Sequence, residues 1–93
     1  MELLLAKSLA GHDKDGIYLV LGFDGEDAIL VNGSNRTMDK PKRKRRKHIQ
    51  PIRHFAKELQ QAAADIERWN DENVKMIIRQ YLGGEQIVKS RRD

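Results

Sequence analysis

Nine residues near the middle of the chain, Lys40-Pro41-Lys42-Arg43-Lys44-Arg45-Arg46-Lys47-His48, constrain its folding more than any other stretch. Seven of the nine are Lys or Arg, so any compact state must hold a row of mutually repelling charges in place. Charge is distributed unevenly about this run. Residues 1–35 carry two Lys against six acids, a net of −4. Residues 36–54 carry nine Lys or Arg against Asp39, a net of +8, and residues 55–93 hold seven of each sign. The overall net charge of +4 is therefore the property of one segment and not of the whole surface. A concentrated positive site is what a polyphosphate selects through counterion release. Basic runs of this length also meet anionic lipid or acidic protein surfaces, act as targeting signals, or stay disordered. The flanking sequence has to decide among these.

The flanks belong to a chain of 93 residues, enough for one small domain near the lower limit of what a single apolar core stabilises. The apolar fraction of 39% against 34% charged is too high for disorder throughout. Without cysteine there is no disulfide framework, thiolate metal site or Cys nucleophile. The start, MELLLAKS, has an acid at position 2 and too short an apolar run for a signal peptide. No stretch approaches the ~18 apolar residues of a membrane span. These features predict a soluble cytoplasmic protein.

Leu3 to Leu9 reads as a first strand, followed by a polar loop, Gly11 to Gly16, with glycine at each end. Ile17 to Phe23, rich in β-branched and aromatic residues, reads as a strand buried on both sides. Asp24-Gly25-Glu26-Asp27 is a turn signal, and Ala28 to Val31 a further strand. Asn32-Gly33 favours a two-residue hairpin, with Asn35 to Met38 returning as a fourth strand. His48 to Ile52 reads as a closing strand in which Pro51 needs an edge or an end. This pattern predicts a small five-stranded barrel over residues 1–53 that ties Lys40 to Lys47, the body of the basic segment 40–48, down as a loop between two strands.

The period then changes. Phe55, Leu59, Ala62, Ala63, Ile66 and Trp69 recur at helical intervals, as do Val74, Ile77, Ile78, Tyr81 and Leu82. Asn70 or Asp71 can cap the second helix, and Gly83-Gly84 should stop it. A helical hairpin is expected over residues 54–84, with a loose tail over 85–93. The fold class expected is α+β.

Ser8-Leu9-Ala10-Gly11-His12-Asp13-Lys14 resembles the start of a KOW motif. The likeness continues through Ile17–Phe23, the Leu30–Gly33 segment and Lys40–Ile52, covering roughly the first 52 residues. The chain is similar there to small bacterial KOW-domain proteins, and through them to KOW proteins of archaeal and eukaryotic large ribosomal subunits. That resemblance implies an SH3-like five-stranded β-barrel that binds RNA, mainly ribosomal, without catalysis. One departure stands out. A glycine usually follows the Asp-Lys pair, with a basic residue next, but here Asp15 and Gly16 hold those places. Aspartate can adopt the left-handed backbone, so the turn is expected to survive. Its carboxylate repels phosphate, which moves the weight of RNA contact onto the basic segment.

The expected RNA contacts are His12, Lys14, Arg36, Lys40, Lys42, Arg43, Lys44, Arg45, Arg46, Lys47 and His48. Lysine supplies point charges for phosphates, and arginine adds a planar fork that binds them bidentately or stacks on a base. In an extended stretch alternate side chains face opposite ways, so one register would turn Arg43, Arg45 and Lys47 toward RNA. Contact with four to six phosphates predicts a slope of log K against log salt of roughly −3 to −5. Trp69 and Tyr81, on apolar stripes, read as packing residues, and Tyr18 and Phe23 as barrel residues. The three histidines have no metal-ligand spacing. Acids cluster beside turn glycines, and Ser8, Ser34 and Ser90 have no evident base, so catalysis has no support. No cofactor or small-molecule substrate is expected. The rival is an SH3-like interaction module that meets an acidic surface of a ribosomal protein or RNA polymerase; a weaker one is an architectural binder of duplex DNA.

Overall fold

A computed structural model describes residues 3–90. It is a small α+β protein with a five-stranded antiparallel sheet and two helices. The strands are β1 (Leu5–Ser8), β2 (Ile17–Asp24), β3 (Asp27–Val31), β4 (Lys42–Arg45) and β5 (Ile49–Ile52), in the spatial order β4-β3-β2-β1-β5. A 3₁₀ turn, Arg46–His48, joins β4 to β5, and α1 (Lys57–Ala64) and α2 (Asp71–Ser90) follow.

That order makes β4 and β5 the two edges of the sheet, although only three residues separate them. In a flat sheet, four strand spacings of about 4.8 Å would hold the edges roughly 19 Å apart. A 3₁₀ turn rising about 2 Å per residue cannot cross that gap, so the sheet is strongly curled. Leu21 is an extra residue between the Val20–Leu30 and Gly22–Ile29 pairs, a bulge of the kind that bends a strand. The edges are joined through the turn and not through a ladder. Arg46 N–H donates to Glu26 O (2.8 Å) beside β3, and Leu9 N–H donates to His48 O (2.8 Å) beside β1.

Alternation along the strands separates two apolar clusters. Leu3, Leu5, Leu19 and Val31 face Leu59, Ala63, Val74 and Ile77 of the helices. Ala6, Tyr18, Val20, Ala28, Leu30 and Ile49 lie on the other face, buried by the curl of the sheet itself. Tyr18, Leu19 and Val20 of β2 are thus covered on both sides, as the composition of the run predicts, whereas Phe23 at its end is exposed.

Four expectations need correction. Asn35 to Met38 forms no strand; the fourth strand is the basic stretch itself. Asn32-Gly33 is no two-residue hairpin: Gly33 takes φ +80°, while the Asn32 side chain accepts from Ser34 and Arg36 N–H to shape a longer loop. The first helix stops at Ala64, although Ile66 and Trp69 beyond it still pack on the core. Finally, α2 passes through Gly83 and Gly84 to Ser90, so most of the expected tail is helix; residues 91–93 lie outside the described residues. Glycine disfavours helix by only about 1 kcal/mol each, and Glu, Gln and Lys beyond the pair favour it. Asn70 does cap α2, accepting from Asn73 N–H at 2.8 Å. Pro51 sits on edge strand β5.

Candidate nucleic-acid interface

A sequence of four cations becomes a strand here because β3 offers it a ladder. The register pairs Asp27 with Arg45, Ala28 with Lys44, Ile29 with Arg43 and Leu30 with Lys42. Since partners across a ladder share a face, Lys42 and Lys44 turn with Leu30 and Ala28 toward the enclosed cluster, while Arg43 and Arg45 turn outward. Lys47 falls in the 3₁₀ turn and so leaves the alternation that was to group it with Arg43 and Arg45.

The inward pair is matched by one carboxylate. Lys44 Nζ lies 2.8 Å from Asp13 Oδ1 and donates also to Ala10 O at 2.8 Å, and Lys42 Nζ is 3.3 Å from Asp13 Oδ2. Ser8 Oγ and the Tyr18 hydroxyl donate to the same carboxylate at 3.1 and 3.0 Å. Burial alone would raise the Asp13 pKa, but the hydrogen bonds from Lys44, Tyr18, Lys42 and Ser8 outweigh it and hold the carboxyl well below its usual range. The Tyr18 phenol is pushed up to about 12, by burial first and then by Asp13. Lys44 is only 11% exposed. Lys42 and Lys44, two of the expected RNA contacts, therefore tie edge strand β4 across the curl to the β1–β2 loop.

The outward pair is exposed but also partnered. Arg43 meets Asp24 at 2.6 Å and Asp27 at 3.4 Å, and Arg45 meets Glu26 and, at 3.6 Å, Asp27. Hydrogen bonding to Asp24, with Asp27 behind it, holds the Arg43 guanidinium above its ordinary range. The acidic excess of residues 1–35 and the basic excess of 36–54 thus meet within one molecule, at the β2–β3 turn and at Asp13. Such exposed pairs are weak, and a phosphate can replace the carboxylates.

Arg46 and Lys47, in the 3₁₀ turn, meet no carboxylate among the described residues. Arg46 Nε donates to Gly25 O at 3.0 Å, and its guanidinium carbon lies 4.0 Å from the centroid of the Phe23 ring. Phe23, read from sequence as a barrel residue, is 42% exposed at the end of β2. The signal available for it was position: the last apolar residue before a turn has less reason to be buried. An open hollow of about 270 Å³ beside the turn is lined by Glu26, Arg45, Arg46 and Lys47.

The remaining expected contacts are dispersed. Lys40, Lys47, Lys14, His12 and His48 are exposed, and among the described residues their side chains make no hydrogen bond or ion pair. Asp15 has φ +71°, the left-handed conformation expected where a glycine is missing, and pairs loosely with Lys7 at 3.7 Å. Arg36 is half-buried, close enough to Tyr18 to oppose the rise in its pKa. Among the described residues no group of three or more His, Asp or Glu side chains is placed to hold a metal ion, and no helix is long and apolar enough to cross a membrane. Neither a scan against protein-family models nor a search of curated proteins finds a match to this chain.

Proposed function

We propose that this chain is a non-enzymatic KOW-type RNA-binding protein of the cytoplasm, associated with the ribosome, whose curled sheet serves as an SH3-like barrel. It meets the phosphate backbone of folded RNA through the outer face of β4 and the 3₁₀ turn. The observation that carries this function is the ordered row Arg43, Arg45, Arg46 and Lys47 beside an exposed aromatic ring. Cations fixed in regular backbone lose little freedom when they meet a partner, and exposed rings beside cations suit nucleic acid better than a carboxylate surface. Lys42 and Lys44 serve structure in this scheme. Lys14, Arg36, Lys40, His12 and His48 extend the field around the contact.

Because Arg43 and Arg45 exchange one anion for another, they add little to net counterion release. With two or three phosphates newly neutralised, the slope of log K against log salt should be roughly −1.5 to −3, shallower than the bare run suggests. Titration of the protein against ribosomal RNA fragments, duplex DNA and polyglutamate at several salt concentrations tests this. Replacing Arg46 and Lys47 by Gln should weaken RNA binding at least tenfold, whereas Arg68→Gln, on the α1–α2 connection, should not. Equal affinity for all three polyanions would reduce the interaction to charge alone, and preference for polyglutamate would favour an acidic protein partner.

A further inference from the structure

We infer that Phe23 and Arg46 form a stacking platform for one unpaired RNA base, seated in the hollow lined by Glu26, Arg45, Arg46 and Lys47; this rests on the RNA-binding function proposed above. A large apolar side chain at a strand end, 42% exposed, contributes little to the core. Its ring is instead the backing of a layer. The Arg46 guanidinium lies over it, and the Nε bond to Gly25 O fixes the rotation of that plane. Arg46 lines the hollow and Phe23 does not, so a base in the hollow meets Arg46 before the ring. A base entering the hollow would lie on the guanidinium face, with phenylalanine behind it, the arrangement that arginine planes offer to splayed bases.

Size and charge agree with that occupant. A volume of about 270 Å³ falls just below the ~300–1,000 Å³ of sites for whole small molecules, which suits a single flat ring system whose sugar and phosphate stay outside. Lys47, with no ion pair of its own, stands at the rim for the adjoining phosphate. A duplex keeps its bases stacked and cannot supply this occupant, so the platform selects bulges, loops or single strands.

The test compares an RNA hairpin carrying one bulged 2-aminopurine with the same hairpin fully paired. The wild-type protein should draw the bulged 2-aminopurine away from its neighbouring bases, raise its fluorescence, and favour the bulged RNA by roughly 5- to 150-fold, with one base on one aromatic as the scale for a guanidinium backed by a ring. Phe23→Leu keeps an apolar side chain and removes the ring; it should bring that preference close to one and abolish the rise in fluorescence. Arg46→Lys keeps the charge and removes the plane, and should act in the same direction, with thermal melts checking that both variants fold. A wild-type protein that binds both hairpins equally and with no rise in fluorescence would overturn the platform and leave RNA binding standing. Binding to neither hairpin would overturn both.

Discussion

Asp13 and Asp15 stand two residues apart in one loop and do opposite things. Asp13 accepts from four side chains across the curl, whereas Asp15 lies exposed in a left-handed turn. Replacing Asp13 by Asn would leave Lys42 and Lys44 half-buried beside a neutral amide. That should cost about 2–3 kcal/mol of unfolding free energy in urea titrations. Asp15→Asn loses only a long surface pair and keeps a residue tolerant of positive φ, so its effect should stay within ~0.5 kcal/mol. The pH dependence follows from the direction of the shift. Asp13 is held below its unfolded value of about 3.9, so its contribution is complete above that pH and is lost as pH falls toward the lower folded value. Denaturation midpoints measured from pH 6 to pH 2 should therefore fall steeply below about pH 4 in the wild type and much less in Asp13→Asn. At the alkaline end Tyr18 acts in the opposite sense. Its folded pKa is raised, so its bond to Asp13 is kept below about pH 10 and lost as pH rises through about 12.

At the scale of the element, β4 is a strand whose charges are balanced on both faces by acids from earlier in the chain. This was the least legible part of the sequence. Lys42-Arg43-Lys44-Arg45 has no apolar alternation to mark a strand, and its acids lie 16 to 31 residues upstream, a distance that periodicity does not register. The charge excess of the two segments was visible; which carboxylate meets which cation depends on the ladder register. That register makes Asp24 and Glu26 intramolecular competitors of phosphate at Arg43 and Arg45. Neutralising them with Asp24→Asn and Glu26→Gln should tighten RNA binding roughly 2- to 10-fold and steepen the salt slope by about 1 to 2. The same change in net charge placed on α1 and the α1–α2 connection, Glu58→Gln with Glu67→Gln, should do clearly less. Salt titrations of the two double variants side by side distinguish a local competition from a general gain in positive charge.

In the whole molecule, sheet and helices share one hydrophobic cluster, and the loop after β3 is where α2 docks. The positions of β1, β2, β3 and β5, the change to helical period near Phe55 and the capping Asn70 could be read from local pattern, because each is a matter of neighbours in sequence. The docking could not. Asn32-Gly33 looked like a hairpin turn, yet the glycine serves a contact with residues about 40 positions later. A Cβ on Gly33 would stand 2.5 Å from Asp71 O and 2.7 Å from Lys75 Cγ, and its φ of +80° already disfavours any other residue. Nearby, Met38 N–H donates to Asp71 Oδ1 at 2.8 Å, so the first turn of α2 is held to this loop at two points. Gly33→Ala should therefore cost at least about 2–3 kcal/mol, combining backbone strain with a clash against a helix backbone that cannot rotate away. Gly25 provides the contrast. Its φ is also positive, but open space surrounds its Cβ position, so Gly25→Ala should lose only about 1–2 kcal/mol. If sheet and helices unfold as one unit, Trp69 fluorescence and far-UV circular dichroism should shift together in Gly33→Ala. A fluorescence transition that moves while the strand signal stays would instead mean that the helices come away from an intact sheet.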